Sequence, residues 1–251
     1  MAKVPRPSNV QSSRVRSSRG RVIWRFLRWP FWLLLIGFLG YQTVIFSQVV
    51  WFRWNNPQAT AFMDAERVRL AAATPSSRIT QTWVPYSAIA ITVKQAVIAA
   101  EDSGFAFHDG VDWEAIEKAA RENIRRGQVK RGGSTITMQL AKNLFLSSDR
   151  SYWRKAQELI ITGMLELTLD KRRILELYLN TAEWGIGVFG VEAAARHYFG
   201  VSAAQVDAMQ AAWLASVLPS PKRFDRNRES DYLTERAFII LERMPKVALP
   251  R

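Results

Sequence analysis

The 251-residue sequence has no cysteine, which excludes disulfides and thiol chemistry without fixing a compartment. Histidine occurs twice, at His108 and His197, so a histidine-based metal centre lacks partners. Acidic residues are missing from the whole N-terminal quarter: the first is Asp64, and nine Lys/Arg residues precede it. Of the net charge of +13, the chain from Asp64 onward therefore carries only +4. That distribution argues against a nucleic-acid partner, because the basic excess sits in a short tail running directly into an apolar stretch. No Gly-x-x-x-x-Gly-Lys-Ser/Thr loop is present, so nucleotide hydrolysis has no support. No period of 20–50 residues repeats, which disfavours a solenoid.

What is present begins with that apolar stretch. Residues 29–50 contain no charge, and these 22 residues would rise about 33 Å as a helix, enough to cross a bilayer core. Trp24, Trp29, Trp32, Trp51 and Trp54 supply interface aromatics. Eight basic residues precede the span and only Arg53 follows closely. The positive-inside bias therefore predicts a single-pass protein with a cytoplasmic N-terminus and everything after Trp54 outside. A cleaved signal peptide is the competing account, since Ala59-Thr60-Ala61 resembles a cleavage site; the apolar run exceeds the usual h-region, which favours a retained anchor. Residues 1–20, rich in Arg, Ser and Pro, read as disordered.

From Asp64 onward the pattern predicts successive helices with little strand signal. Asp112 caps a helix whose Trp113, Ile116, Ala120 and Ile124 share a face, and Ser134 or Thr135 caps another carrying Ile136, Leu140 and Leu144. Ser151 opens a long helix with a stripe of Leu159, Ile160, Gly163, Met164 and Leu167, and Asp170 caps the next, bearing Ile174, Leu175, Tyr178 and Leu179. A glycine-rich loop over 185–190 precedes a helix over 191–199, and Ser202 to Gln205 fits a capping box before a helix over 206–218, ended by Pro219 and Pro221.

Two constellations carry chemistry. The first is Glu101-Asp102-Ser103-Gly104-Phe105-Ala106-Phe107-His108-Asp109-Gly110, which directly follows an apolar segment. Carboxylates at a core edge suffer desolvation and mutual repulsion, which raise a pKa toward the range of a general base; Glu101 is the candidate. Taken alone, the pair is equally a solvated helix end, and His108 a loop or capping residue. The second is Arg131-Gly132-Gly133-Ser134-Thr135-Ile136-Thr137-Met138-Gln139-Leu140-Ala141-Lys142-Asn143, followed by Arg150, Arg154, Lys155 and Glu158. Backbone N–H groups at a positive helix end together with four cations suit a phosphate or pyrophosphate. The alternative is a flexible loop and a basic helix face touching lipid headgroups.

Four ordered motifs, Glu101-Asp102-x-x-Phe105-x-x-His108-x-Gly110, Gly132-Gly133-Ser134-Thr135-Ile136-Thr137-x-Gln139, Arg154-Lys155-x-x-Glu158 and Lys171-x-x-Ile174-Leu175-Glu176-x-Tyr178-Leu179-Asn180, resemble the signature of peptidoglycan glycosyltransferases, including the glycosyltransferase domain of class A penicillin-binding proteins. The likeness covers about residues 84–224, and the chain departs from the family pattern at Met138, where Gln is usual. Neither Ser-x-x-Lys nor Lys-Thr-Gly occurs, so the resemblance is to a monofunctional enzyme without a transpeptidase module.

The resemblance implies an all-α, lysozyme-like domain with a smaller membrane-proximal lobe, preceded by one transmembrane helix. The expected division is a basic tail over 1–28, a transmembrane helix over 29–52, a linker and helix over 53–83, and the glycosyltransferase domain over 84–251. It also implies the reaction, in which lipid II is polymerised into β-1,4 glycan strands with inversion and release of polyprenyl pyrophosphate. By motif position, Glu101 resembles the base for the acceptor hydroxyl and Glu158 the second essential carboxylate. Lys142 and Arg150 match positions that neutralise the leaving group, and Arg154 and Lys155 positions that support it. Asp102, Phe105, Ser134, Thr135, Gln139 and Asn143 complete the expected substrate contacts, while Glu176 and Asn180 match a structural motif. No cofactor is required, although a divalent cation, Mg or Mn, is compatible with the pyrophosphate. The implied partners are lipid II, the growing strand, membrane lipid and cell-wall synthesis or division proteins, at the periplasmic face of a bacterial inner membrane. The rival readings are a lysozyme-like glycan hydrolase, whose sugar leaving group gives the cations no purpose, and a non-catalytic membrane scaffold.

Overall fold

The computed structural model describes residues 19–73, 78–126, 133–147, 149 and 151–250. Most of the basic tail, together with Arg131, Gly132 and Arg150, lies outside these described residues. Helix α1, Arg19–Trp51, starts ten residues ahead of the expected span and passes through Pro30, so the part of the expected tail over 19–28 is helical. Its apolar portion, Trp29–Trp51, is 23 residues long and reaches a mean hydropathy of 1.8 over an 18-residue window, a length and composition suited to crossing a membrane.

The chain divides into two compact units, with the boundary between Val44 and Ile45. The last turns of α1 belong to the second unit because Ile45 and Val49 are buried in its core. Arg173 closes this end of the helix, donating to the carbonyls of Phe52 at 2.9 Å and Asn55 at 2.7 Å, groups a helix terminus otherwise leaves unpaired.

The second unit is mostly helical: α2 (Ala61–Ala73), α3 (Ile91–Glu101), α4 (Trp113–Arg126), α5 (Ile136–Phe145), α6 (Tyr152–Thr168), α7 (Lys171–Thr181), α8 (Val191–Phe199), α9 (Ala208–Val217), α10 (Pro221–Arg226) and α11 (Asp231–Arg243). Ala211, Ala212 and Ala215 make α9 slender enough for α3 and α11 to pack closely on it. On the other side of the core, α5 packs on α6 and α7, so the end of α3 and the face of α5 are held by buried neighbours.

Several local expectations change. The 185–190 loop is instead part of a small sheet, in which β1 (Thr80–Gln81) runs parallel to β3 (Val188–Phe189) and β2 (Glu183–Gly185) antiparallel to it. Gly187, at φ +71°, makes the tight β2–β3 turn possible. The capping box before α9 is Asp207–Gln210, not Ser202–Gln205, because Glu192 takes the Ser202 hydroxyl and the Ala203 N–H, holding that segment as a turn. On α4 two positions of the predicted stripe stay at the surface, Trp113 71% and Ile124 83% exposed, Ile116 is half-buried, and Ala119 is buried. On α6 the polarity is reversed: Leu159, Ile160 and Leu167 are exposed, while Gln157, Glu158 and Thr162 turn inward beside Ile161 and Leu165.

Candidate active site

Helix α3 ends at Glu101 because Asp102 leaves the helical conformation as its C-cap. Asp102 is buried, and its two oxygens are both used: Oδ1 pairs with His108 Nε2 at 2.9 Å, and Oδ2 accepts the N–H of Ile136 at 3.0 Å. A carboxylate thus sits on the N-terminus of α5, where both the unpaired N–H groups and the helix dipole favour it. Thr135 completes the cap, accepting from Met138 N–H at 3.2 Å and donating to the Gly110 carbonyl. These bonds lock the first motif to the second and fix Glu101 relative to α5.

Glu101 Oε2 accepts from Gln139 Nε2 at 2.8 Å, and Gln139 Oε1 accepts from the Tyr178 hydroxyl at 2.9 Å. Glu101 Oε1 is buried without a hydrogen bond, 3.7 Å from Arg236 Nη2 on α11. One turn beyond Gln139, Lys142 lies with its ammonium 5.3 Å from the Phe62 ring of α2. On α6, Glu158 is only 3% exposed and has both oxygens paired, Oε2 with Arg154 at 2.6 Å and Oε1 with Lys155. Lys155 also reaches toward the Ser134 hydroxyl at 3.4 Å.

Burial pushes the Glu101 carboxyl above the ordinary range, outweighing the Gln139 bond and the attraction of Arg236 and Lys142; the repulsion from Asp102 is the smallest contribution. Desolvation likewise pulls Lys142 down, against the attraction of Glu158. Lys142 feels both carboxylates, so Glu101 and the Glu158 cluster belong to one electrostatic site. A half-buried carboxylate held by Gln139 of α5, with Lys142 one turn further along that helix and Arg154 and Lys155 on α6, equips the site to accept a proton and stabilise a departing anion.

Comparisons with known proteins place this arrangement. A family model described as Transglycosylase matches residues 68–245. The chain belongs to the transglycosylase family. It is 52% identical over 223 residues to the biosynthetic peptidoglycan transglycosylase of Herminiimonas arsenicoxydans, covering 88% of this chain and 96% of that one. With the Bordetella avium protein of the same name it shares 53% over 221 residues, covering 86% and 92%. With that of Nitrosospira multiformis it shares 47% over 229 residues, covering 90% and 99%.

Within this transglycosylase, the expected site residues divide. Glu101 and Gln139 form one hydrogen-bonded group and Arg154, Lys155, Glu158 and Ser134 another, with Lys142 in electrostatic range of both. Asp102 and Thr135 spend their polar atoms inside the fold, and Phe105 is wholly buried beneath the Lys171 ammonium. Asn143 is almost buried on α5. Met138, the departure from the family pattern, points into the interior at 1% exposed, where an apolar side chain is at home. Asn180 holds the Val84 backbone through both its N–H and C=O, and Glu176 accepts from Tyr86 N–H, as a structural motif would.

Arg236 and Phe62 were not found from the sequence. Neither lies in a chemically suggestive run, and Arg236 is brought to Glu101 only by the packing of α11 on α3. Tyr178 reads from its spacing as one more core position. Asp102, His108 and Asp112 offer ligand atoms within 4.8 Å of one another; Asp102 is bonded to His108 and to Ile136 N–H, and Asp112 Oδ1 accepts from Ala115 N–H at the start of α4.

Proposed function

We propose that Glu101 is the general base of a peptidoglycan glycosyltransferase and that Lys142, Arg154 and Lys155 receive the pyrophosphate of its lipid-linked donor. As a member of the transglycosylase family the protein polymerises lipid II into glycan strands. In the step we assign, the acceptor 4-hydroxyl oxygen bonds to the donor anomeric carbon, its proton passes to Glu101, and the carbon–oxygen bond to the pyrophosphate breaks. Attack opposite the leaving group inverts the anomeric centre, and polyprenyl pyrophosphate departs with the bonding electrons. The observation that carries this reading is Lys142, a half-buried cation in electrostatic range of both the base and the Glu158 cluster. Glu158, with both oxygens paired, holds Arg154 and Lys155 in place. The same pairing leaves it no free oxygen for a divalent ion, and no step is assigned to one.

The lysozyme-like domain is read as having its smaller lobe toward the membrane, with α1 as the anchor, the N-terminus cytoplasmic and the second unit periplasmic. Arg150, on the resemblance, joins the leaving-group cations. Glu101→Gln keeps the shape of the side chain but removes its capacity to take a proton, so turnover of purified lipid II should fall about 10²–10⁴-fold with unfolding unchanged or shifted upward. A folded variant with near-normal turnover would falsify the assignment. Release of polyprenyl pyrophosphate by the wild type, without cleavage of preformed glycan, separates this reading from a hydrolase.

A further inference from the structure

The hydrogen-bond chain behind Glu101 ends at a side chain that no substrate reaches. Tyr178 is 1% exposed on α7, and its hydroxyl donates to Gln139 Oε1 at 2.9 Å. Gln139 in turn gives its N–H to Glu101 Oε2 at 2.8 Å. An amide has one donating and one accepting end, and which faces the carboxylate is settled by the partner at its other end. Ionised Glu101 is acceptor-only; a flipped amide would set oxygen against oxygen. Burial and the nearby charges of Glu101 and Asp102 hold the Tyr178 phenol well above its ordinary range, so it remains a donor at every working pH.

We propose that Tyr178 is a positioning residue for the base: its hydroxyl fixes the Gln139 amide with the N–H toward Glu101, and so sets both the placement of that carboxylate and its readiness to take a proton. The proposal rests on Glu101 being the base. The charged and titratable groups facing Glu101 are Asp102 on α3, Lys142 on α5, Tyr178 on α7 and Arg236 on α11, and α9 presents none. None of the others touches the Gln139 amide in the hydrogen bonds of the site. Gln139 therefore holds the carboxylate, and Tyr178 holds Gln139.

The sign follows from the geometry. Removing the phenol hydroxyl frees the amide to turn, and removing the amide deletes a donor; either change disfavours the ionised carboxylate and raises its titration midpoint. Loss of one charge-assisted hydrogen bond corresponds to about one to two pH units. The test uses the full chain in detergent with Tyr178→Phe, Gln139→Met and the double variant. The acidic limb of the kcat/KM profile for lipid II polymerisation should move up by about one unit in each single variant, with no further movement in the double, because both act through one contact. In parallel, the ¹³C carboxyl resonance of Glu101, assigned by its disappearance in Glu101→Gln, should titrate higher in the absence of substrate. A fall in kcat with an unmoved acidic limb and an unmoved resonance overturns the proposal, since a purely structural tyrosine would act that way. If Tyr178→Phe does not fold, an unmoved resonance in Gln139→Met overturns it equally. A resonance that moves in an enzyme whose Glu101→Gln variant still turns over would instead overturn the base assignment and leave the relay standing.

Discussion

Glu183 shows how a buried carboxylate away from the catalytic pair should govern stability. It sits in β2 with its side chain 13% exposed, 3.1 Å from Lys222 Nζ, but that ammonium gives its hydrogen bond to Glu66 at 2.6 Å and Glu183 Oε1 accepts none. Burial raises the Glu183 carboxyl from 4.5 to about 7, with the attraction of Lys222 only partly opposing it. In the unfolded chain the group ionises near 4.5, so between that pH and about 7 the folded state binds the extra proton, and stability falls as pH rises through this window. At about 1.4 kcal/mol per pH unit the full effect is about 3 kcal/mol above neutrality, an upper limit because Lys222 can reorient. Glu183→Gln should remove the penalty. Thermal unfolding of the full chain in detergent, followed by circular dichroism, should show the variant and wild type together at about pH 4, with the variant higher near pH 8 by about 6–12 °C for a domain of this size. Comparing the two proteins at each pH cancels Glu101 and the other titrating groups. Coincident curves at all pH values, or a variant less stable at high pH, would refute the reasoning.

The cations and the backbone offer two further tests. Lys142→Ala should cut polymerisation about 10–100-fold in detergent free of anionic lipid, since a charge-assisted contact to the leaving group is lost; wild-type rates there would remove Lys142 from the pyrophosphate. Gly190→Ala should destabilise the fold by about 2–4 kcal/mol in denaturant titrations, because a Cβ would stand 2.7 Å from the Asn180 carbonyl at a φ of +79°; a loss below about 1 kcal/mol would show that β3 and α8 can shift to admit it.

The helical class, the apolar span and the motif order were determined by the sequence itself, because each rests on local information. Capping residues such as Thr135, Ser151 and Asp170 bond N–H groups three residues away, so a single turn decides them. The carboxylate pair is equally local, and its place after an apolar helix was enough to mark Glu101. Which face a helix buries depended on what else arrives there. The more apolar face of α6 is outside, because Arg154 and Lys155 let Glu158 turn inward as part of an ion cluster whose charges compensate one another. On α4 Trp113 and Ile124 of the apolar stripe stay exposed among the described residues. The environment of Glu101 was likewise decided only by tertiary structure: Gln139 comes from α5, Tyr178 from α7 and Arg236 from α11, separated from it by 38 to 135 positions of chain. Local pattern can name a carboxylate, but the burial that raises its pKa and the donors that orient it belong to the packed core, where residues distant in sequence share one low-dielectric space.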